Sequence, residues 1–350
     1  MARVIHARSP FYIRTQTEAT AVKFRLELFI FTGLIGAKPA TATYTLTKDT
    51  INSETALTFE ISELIKDYFT NTFDGTYSSD TFHVIADVTG ITAAGANISP
   101  LVSTTYLSFE GYTEYLDGAN YYNSNQVILI TASCMQMVLG TKTKIPVNAE
   151  QATSVAFKNG GSTIETIAVT DSGNTNQKIQ YIETTGTSAI DSVVVTDSGA
   201  STHTITVDQV EECKFGVYKI TFVNKHGALE DLFFFKKSVE SLNVSRGSFK
   251  ANLLNRVTKS YTTSEHQKQT FQVLANESIS LNSGFVGECS NPSFEELLLS
   301  EYVWITSPSA VIAPVTVKES SLTFKTSLND RLINYTVNFD YAFDLINDVR

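Results

Sequence analysis

Apolar and polar side chains alternate along much of this chain. In Phe24-Arg25-Leu26-Glu27-Leu28-Phe29 the period is two, which puts Phe24, Leu26 and Leu28 on one face of a half-buried strand. The same period recurs near the end, where Ile333, Tyr335, Val337, Phe339 and Tyr341 share a face. A strand that regular requires a large apolar surface, either a domain core or a subunit interface. Further strands are predicted over 11–14, 22–31, 41–46, 81–88, 103–112 and 127–138, separated by turn residues such as Gly33, Pro39, Asp74-Gly75 and Asp117-Gly118. The runs 217–223 and 229–235 flank Asn224-Lys225-His226-Gly227, a hairpin signal.

Two segments break the strand period. Ile61, Leu64, Ile65, Tyr68 and Phe69 recur at helical spacing and predict a short helix over 62–69. Asn291-Pro292 followed by Phe294, Leu297 and Leu298 predicts an N-capped helix near 292–300, with proline in its first turn. The fold expected is all-β and mainly antiparallel: several β-sandwiches, immunoglobulin- or fibronectin-like, with one or two short helices.

One segment occurs twice. Ile164-Glu165-Thr166-Ile167-Ala168-Val169-Thr170-Asp171-Ser172-Gly173 returns as Ile190-Asp191-Ser192-Val193-Val194-Val195-Thr196-Asp197-Ser198-Gly199. Each copy reads as one hairpin: a β-branched strand, an Asp-Ser-Gly turn and a return strand at 178–181 or 204–207. The repeat divides the chain into an N-terminal β-sandwich (1–147), a small hairpin-repeat module (148–212) and a C-terminal β-rich domain (213–350). Short Gly/Ser/Thr-rich connections make the middle module a peripheral insertion that the flanking domains are expected to survive without.

Composition sharpens this reading. Hydrophobic residues at 42% with 11% aromatic exclude a disordered chain. The charged fraction, 18%, is below the usual value of about 25%, as suits Thr-rich exposed sheets. A net charge of −10 argues against a nucleic-acid partner. Arg3, Arg8 and Arg14 make the first segment locally basic, suited to an acidic neighbour or to solvent. Residues 1–14 lack the apolar core of a leader, and 24–37 is too short and too charged to span a bilayer, so a soluble chain without membrane insertion is expected. Cys134, Cys213 and Cys289 are far apart and form no metal pattern; the expectation is reduced, core-packed thiols and folding in a cytoplasm.

Candidate chemistry is sparse. Thr196-Asp197-Ser198-Gly199 resembles an aspartic-protease signature, with Asp171 as the only partner for Asp197, but too little chain separates the copies to build two lobes. Residues 171–176 offer oxygens for calcium, yet turn chemistry explains them equally. His6, His83, His203, His226 and His266 are scattered, and no phosphate loop or nucleophile elbow occurs. No catalytic residue, metal or cofactor is therefore expected. Tyr121-Tyr122, beside Asn120 and Asn123, is the best binding candidate, suited to stacking on a sugar ring or anchoring a protein.

Three stretches carry a resemblance: Arg8-Ser9-Pro10-Phe11-Tyr12-Ile13; Tyr218-Lys219-Ile220-Thr221-Phe222-Val223-Asn224-Lys225-His226-Gly227-Ala228-Leu229 with Phe233-Phe234-Phe235-Lys236-Lys237; and Leu332-Ile333-Asn334-Tyr335-Thr336-Val337-Asn338-Phe339. In them the chain resembles virion structural proteins of tailed bacteriophages and prophages. The resemblance implies a non-enzymatic particle component of tail, neck or baseplate, folded in the host cytoplasm and present in many copies. Its expected partners are copies of itself and other virion proteins, with Phe11, Tyr12, Phe233, Phe235, Tyr335 and Phe339 as interface residues. The alternative is an adhesin-like module binding a host surface glycan or receptor; a remoter one is an aspartic-type hydrolase.

Overall fold

The alternating run around Phe24 forms the spine of the first sheet. The computed structural model describes residues 3–16, 20–50, 56–98, 102–118, 120, 126–184, 188–212, 214–319, 323 and 333–346. The first strands are β1 (Arg3–His6), β2 (Tyr12–Gln16), β3 (Ala21–Phe31), β4 (Tyr44–Asp49), β5 (Ala56–Glu60), β6 (Phe82–Thr92) and β7 (Val102–Phe109), with helix α1 (Ser62–Lys66) between β5 and β6. Five of them make a sheet in the order β1-β7-β6-β3-β4, and β2 pairs with β5 in a separate ribbon. Phe24, Leu26 and Leu28 are fully buried, as their period requires, and pack with Ile13, Phe59 and Ile65 of the ribbon and helix.

The middle of the chain supplies β8 (Cys134–Val138), β9 (Ile145–Asn148), β10 (Ala152–Asn159), β11 (Ser162–Ala168), β12 (Ile179–Ile182), β13 (Ser192–Asp197) and β14 (Thr202–Val210). A second five-stranded sheet runs β11-β10-β13-β14-β8, and β12 pairs with β9. The second repeat copy is a hairpin, β13 to β14, turned at Asp197. The first copy is not. Its β11 turns back through Gly160-Gly161 onto β10, while the expected return strand, β12, leaves to pair with β9. The chain between them is held elsewhere: Asn174 O accepts from Ile35 N at 2.8 Å, and Asn176 Oδ1 accepts from Gly33 N at 2.8 Å. Similar local sequence is thus overridden by anchorage on the segment that follows β3.

The last elements are β15 (Tyr218–Val223), β16 (Leu229–Phe234), β17 (Val239–Lys250), β18 (Lys268–Val286), α2 (Asn291–Leu299), β19 (Val303–Thr306), β20 (Ile312–Val317) and β21 (Ile333–Tyr341). They form a seven-stranded sheet in the order β16-β15-β19-β20-β21-β18-β17. Ile333, Tyr335, Val337 and Phe339 all point into its core with Phe294 and Leu297 of α2. With 51% strand and 5% helix, the molecule is all-β and mostly antiparallel; β1–β7 and β8–β14 are parallel pairs.

The cores cross the boundaries expected after residues 147 and 212. Met135 and Met137 of β8 pack with Val193 of the repeat region and with Phe233 and Phe235 of β16 and its end in one cluster. Val4, Leu107 and Ala228 share another, and Phe73 meets Trp304 in a third. Gly284 marks how tight these junctions are: its φ is +72°, and a β-carbon there would lie 2.4 Å from the Phe235 ring.

The cysteines also depart from expectation. Cys134 on β8 and Cys289 before α2 form a disulfide with Cα atoms 5.5 Å apart, across a sequence separation of 155. Folding brings these distant residues within bonding reach, which no spacing in the sequence announces. Cys213 lies outside the described residues.

Candidate functional site

Three places concentrate chemistry, and they differ in accessibility. The first is a buried junction around Asp231. Its carboxylate accepts hydrogen bonds from Tyr77 Oη at 2.7 and 2.6 Å, Thr221 Oγ1 at 2.7 Å and Thr143 Oγ1 at 3.0 Å. Lys219 Nζ sits 3.6 Å from Asp231 and donates to Tyr77 Oη at 2.6 Å. Burial, with the charge of Asp231, pushes the Tyr77 hydroxyl far above its ordinary range, so it remains a donor. A buried carboxylate with this many donors is stabilised as a link between segments distant in sequence.

Beside it lies a pair of buried acids, Glu230 and Glu296. Asn224 Nδ2 donates to Glu230 Oε2 at 2.9 Å, Ser293 Oγ donates to Glu230 Oε1, and the backbone N–H of Lys225 donates to Glu296 Oε2 at 2.9 Å. Burial raises both acids, reinforced at Glu230 by the charge of Glu296, and brings Glu230 to about 8. Burial likewise lowers His6 to about 3 and His226 to about 4, the neighbouring Lys225 charge contributing to both. Asn224 organises this corner: its Oδ1 accepts from His226 N and Ala228 N, closing the β15–β16 turn that the Asn-Lys-His-Gly signal predicts. Arg8 finds its acidic neighbour inside the chain, with Nε 3.4 Å from Glu301.

The third place is open to solvent. Beyond Ser278, β18 leaves β21 and continues with β17 alone as a two-stranded ribbon. Nine cross-strand levels at a strand rise of about 3.4 Å carry it roughly 30 Å from the sheet. Residues of β17 are exposed along its length, and among the described residues it pairs with β18 only. Cross-strand pairing sets the faces: Leu242, Val244 and Val273 share one, while Leu274, Phe249 and Phe271 occupy the other past a bulge at Gly247/Ser248. Exposure reaches 53% at Leu242, 48% at Phe249 and 67% at Phe271. Leu345 N donates to Ala275 O at 2.9 Å, which lays Leu345 against the base of this arm.

The arm was legible in principle. Alternation in Leu242-Asn243-Val244-Ser245 and the cluster Arg246, Lys250, Arg256, Lys259 and Lys268 set the segment apart from an acidic chain. The interface residues expected from the sequence lie elsewhere. Phe11, Phe233, Phe235, Tyr335 and Phe339 are buried inside the chain's own cores, because their apolar faces meet neighbouring sheets rather than another copy. Tyr12 alone of the six is exposed, at 54%, on the β2–β5 ribbon. Tyr121 and Tyr122 fall outside the described residues.

The aspartates of the repeats are engaged separately. Asp197 Oδ1 accepts from Gly199 N and Ser201 N, both at 2.8 Å, and its Oδ2 lies 3.1 Å from His203 Nε2. Asp171 pairs with Lys178 Nζ. A proton-sharing dyad requires the two carboxylates to face each other, and here each is held by its own local partners. Asn176, counted among the calcium oxygens, uses its amide to join Gly33 and Thr81. No protein-family model matches the chain, and no curated protein is similar to it.

Proposed function

We propose that this chain is a non-enzymatic structural component of a tailed-bacteriophage particle, in tail, neck or baseplate, present in multiple copies. The observation that carries this reading is the arm: a long two-stranded ribbon with apolar side chains on both faces. An isolated hairpin is marginal in water, and contiguous exposed apolar residues mark interaction surfaces. A body whose regions are pinned together by shared cores, a buried polar junction and a disulfide is a rigid platform for such an arm. A structural role also accommodates the disulfide, since a particle leaves the reducing cytoplasm on release.

The test is co-purification. Antibody against the chain should label intact particles after density-gradient separation, with several copies per particle by quantitative mass spectrometry. A chain found only free of particles overturns the reading.

A further inference from the structure

We infer that the arm docks onto the acidic body of a second copy of this chain. The inference deepens the structural role proposed above by naming the partner. Two observations carry it: the distribution of charge and the surface presented.

Charge selects the partner. From Arg246 to Lys268 the arm and its tip hold five basic residues, Arg246, Lys250, Arg256, Lys259 and Lys268, against the single acidic Glu265. The whole chain nevertheless carries −10, so everything outside this segment is more acidic still. The body of another copy is therefore an acidic surface present at the same concentration as the arm itself. The arm projects away from its own body, which makes an intermolecular encounter the accessible one. Electrostatic steering then accelerates encounter and orients it.

Apolar contact would hold what charge has steered. Phe249 and Phe271, with ring centroids 6.4 Å apart, present a pair of exposed aromatic rings just below the basic tip. Tyr261 adds a third exposed ring in the tip loop. Aromatic and arginine side chains together are the residues most enriched at protein interfaces. Arm and body are different surfaces, so the contact joins copies either reciprocally, as an arm-exchanged twofold dimer, or head to tail, as a ring or helix.

The experiment uses the full chain, with a photo-reactive phenylalanine analogue at position 271 and, separately, at 261. Isotopically light and heavy copies are mixed, irradiated, digested and analysed by mass spectrometry. The expected result is mixed-isotope cross-links joining the arm to acidic peptides outside 239–286, in a yield that falls as salt rises. Arg256→Glu with Lys259→Glu should weaken self-association about tenfold at low salt while leaving the melting temperature unchanged. Cross-links from arm to arm, cross-links within one copy only, or capture of the arm by nucleic acid would each overturn the inference. Particles containing the chain but with its arm linked to a different virion protein would overturn it and leave the structural role standing. Arm-to-body linkage in a chain absent from particles would do the reverse.

Discussion

The ring of Phe271 lies across Gly247 on the neighbouring strand, so close that a β-carbon on Gly247 would fall 2.6 Å from the ring's Cζ. An aromatic side chain covering a strand glycine protects backbone that would otherwise be bare, and it fixes where the ring stands. Because the ring is 67% exposed, it can swing away if displaced. Gly247→Val should therefore leave global stability within about 0.5 kcal/mol yet move Phe271 off its position and weaken self-association several-fold. Phe271→Ala should weaken it similarly. Thermal melts alongside sedimentation of both variants check this pair of outcomes.

Reduction of the disulfide should cost stability. Cross-linking residues 155 apart removes chain entropy from the unfolded state worth up to about 5 kcal/mol, with 2–4 kcal/mol typical in practice. Cys289→Ser, or the native chain in reductant, should melt at a clearly lower temperature with unchanged circular dichroism. An identical melt would show that the bond contributes nothing to the fold.

Glu230 predicts a loss of stability as pH rises from the ordinary carboxyl value to its own. Its folded-state value, about 8, lies above the ordinary carboxyl value of 4.5, so the folded chain holds this proton more tightly than the unfolded chain. The contribution is fully present below the unfolded value and is lost as pH rises through the folded one. Glu230→Gln keeps an acceptor for Asn224 and removes the titration. Melting temperature should fall less in the variant than in the native chain between about pH 4.5 and about pH 8.

The middle region should not be removable. Deleting residues 152–210 would uncover Met135, Met137, Phe233 and Phe235, all buried against it. At about 1.5–3 kcal/mol for each large apolar side chain returned to water, the loss approaches the whole stability of an ordinary domain. The deleted chain should show no cooperative melt. A sharp transition would mean that the flanking regions fold by themselves.

What the sequence made legible was periodicity. Phe24, Leu26 and Leu28, the terminal run from Ile333 to Phe339, the helices at 62 and 291 and the Asn224 turn all follow from local chemistry, since spacing and turn residues act over a few positions. Partnership between distant segments was illegible. Nothing in Phe233 or Phe235 says whether the covering surface belongs to this copy or the next, and burial against Met135 and Val193 answers it. The two repeat copies are similar in sequence, yet β12 pairs with β9, with residues 174–176 anchored on the segment that follows β3. Cys134 and Cys289 meet for the same non-local reason. The arm lay within reach of the pattern, and the basic cluster from Arg246 to Lys268 was its signal.

The arm is the element proposed to join copies, and the mass of the assembled chain with and without it tests that role. Residues 243–276 are replaced by a two-residue Asn-Gly turn, which retains the Leu242–Glu277 cross-strand pair and the β18–β21 pairing. Sedimentation velocity of native and shortened chains is compared at matched concentration, with circular dichroism as the control for folding. The native chain should sediment as higher-order species and the shortened one as a folded monomer. A shortened chain that is folded and assembles as well as the native chain would contradict the arm's role.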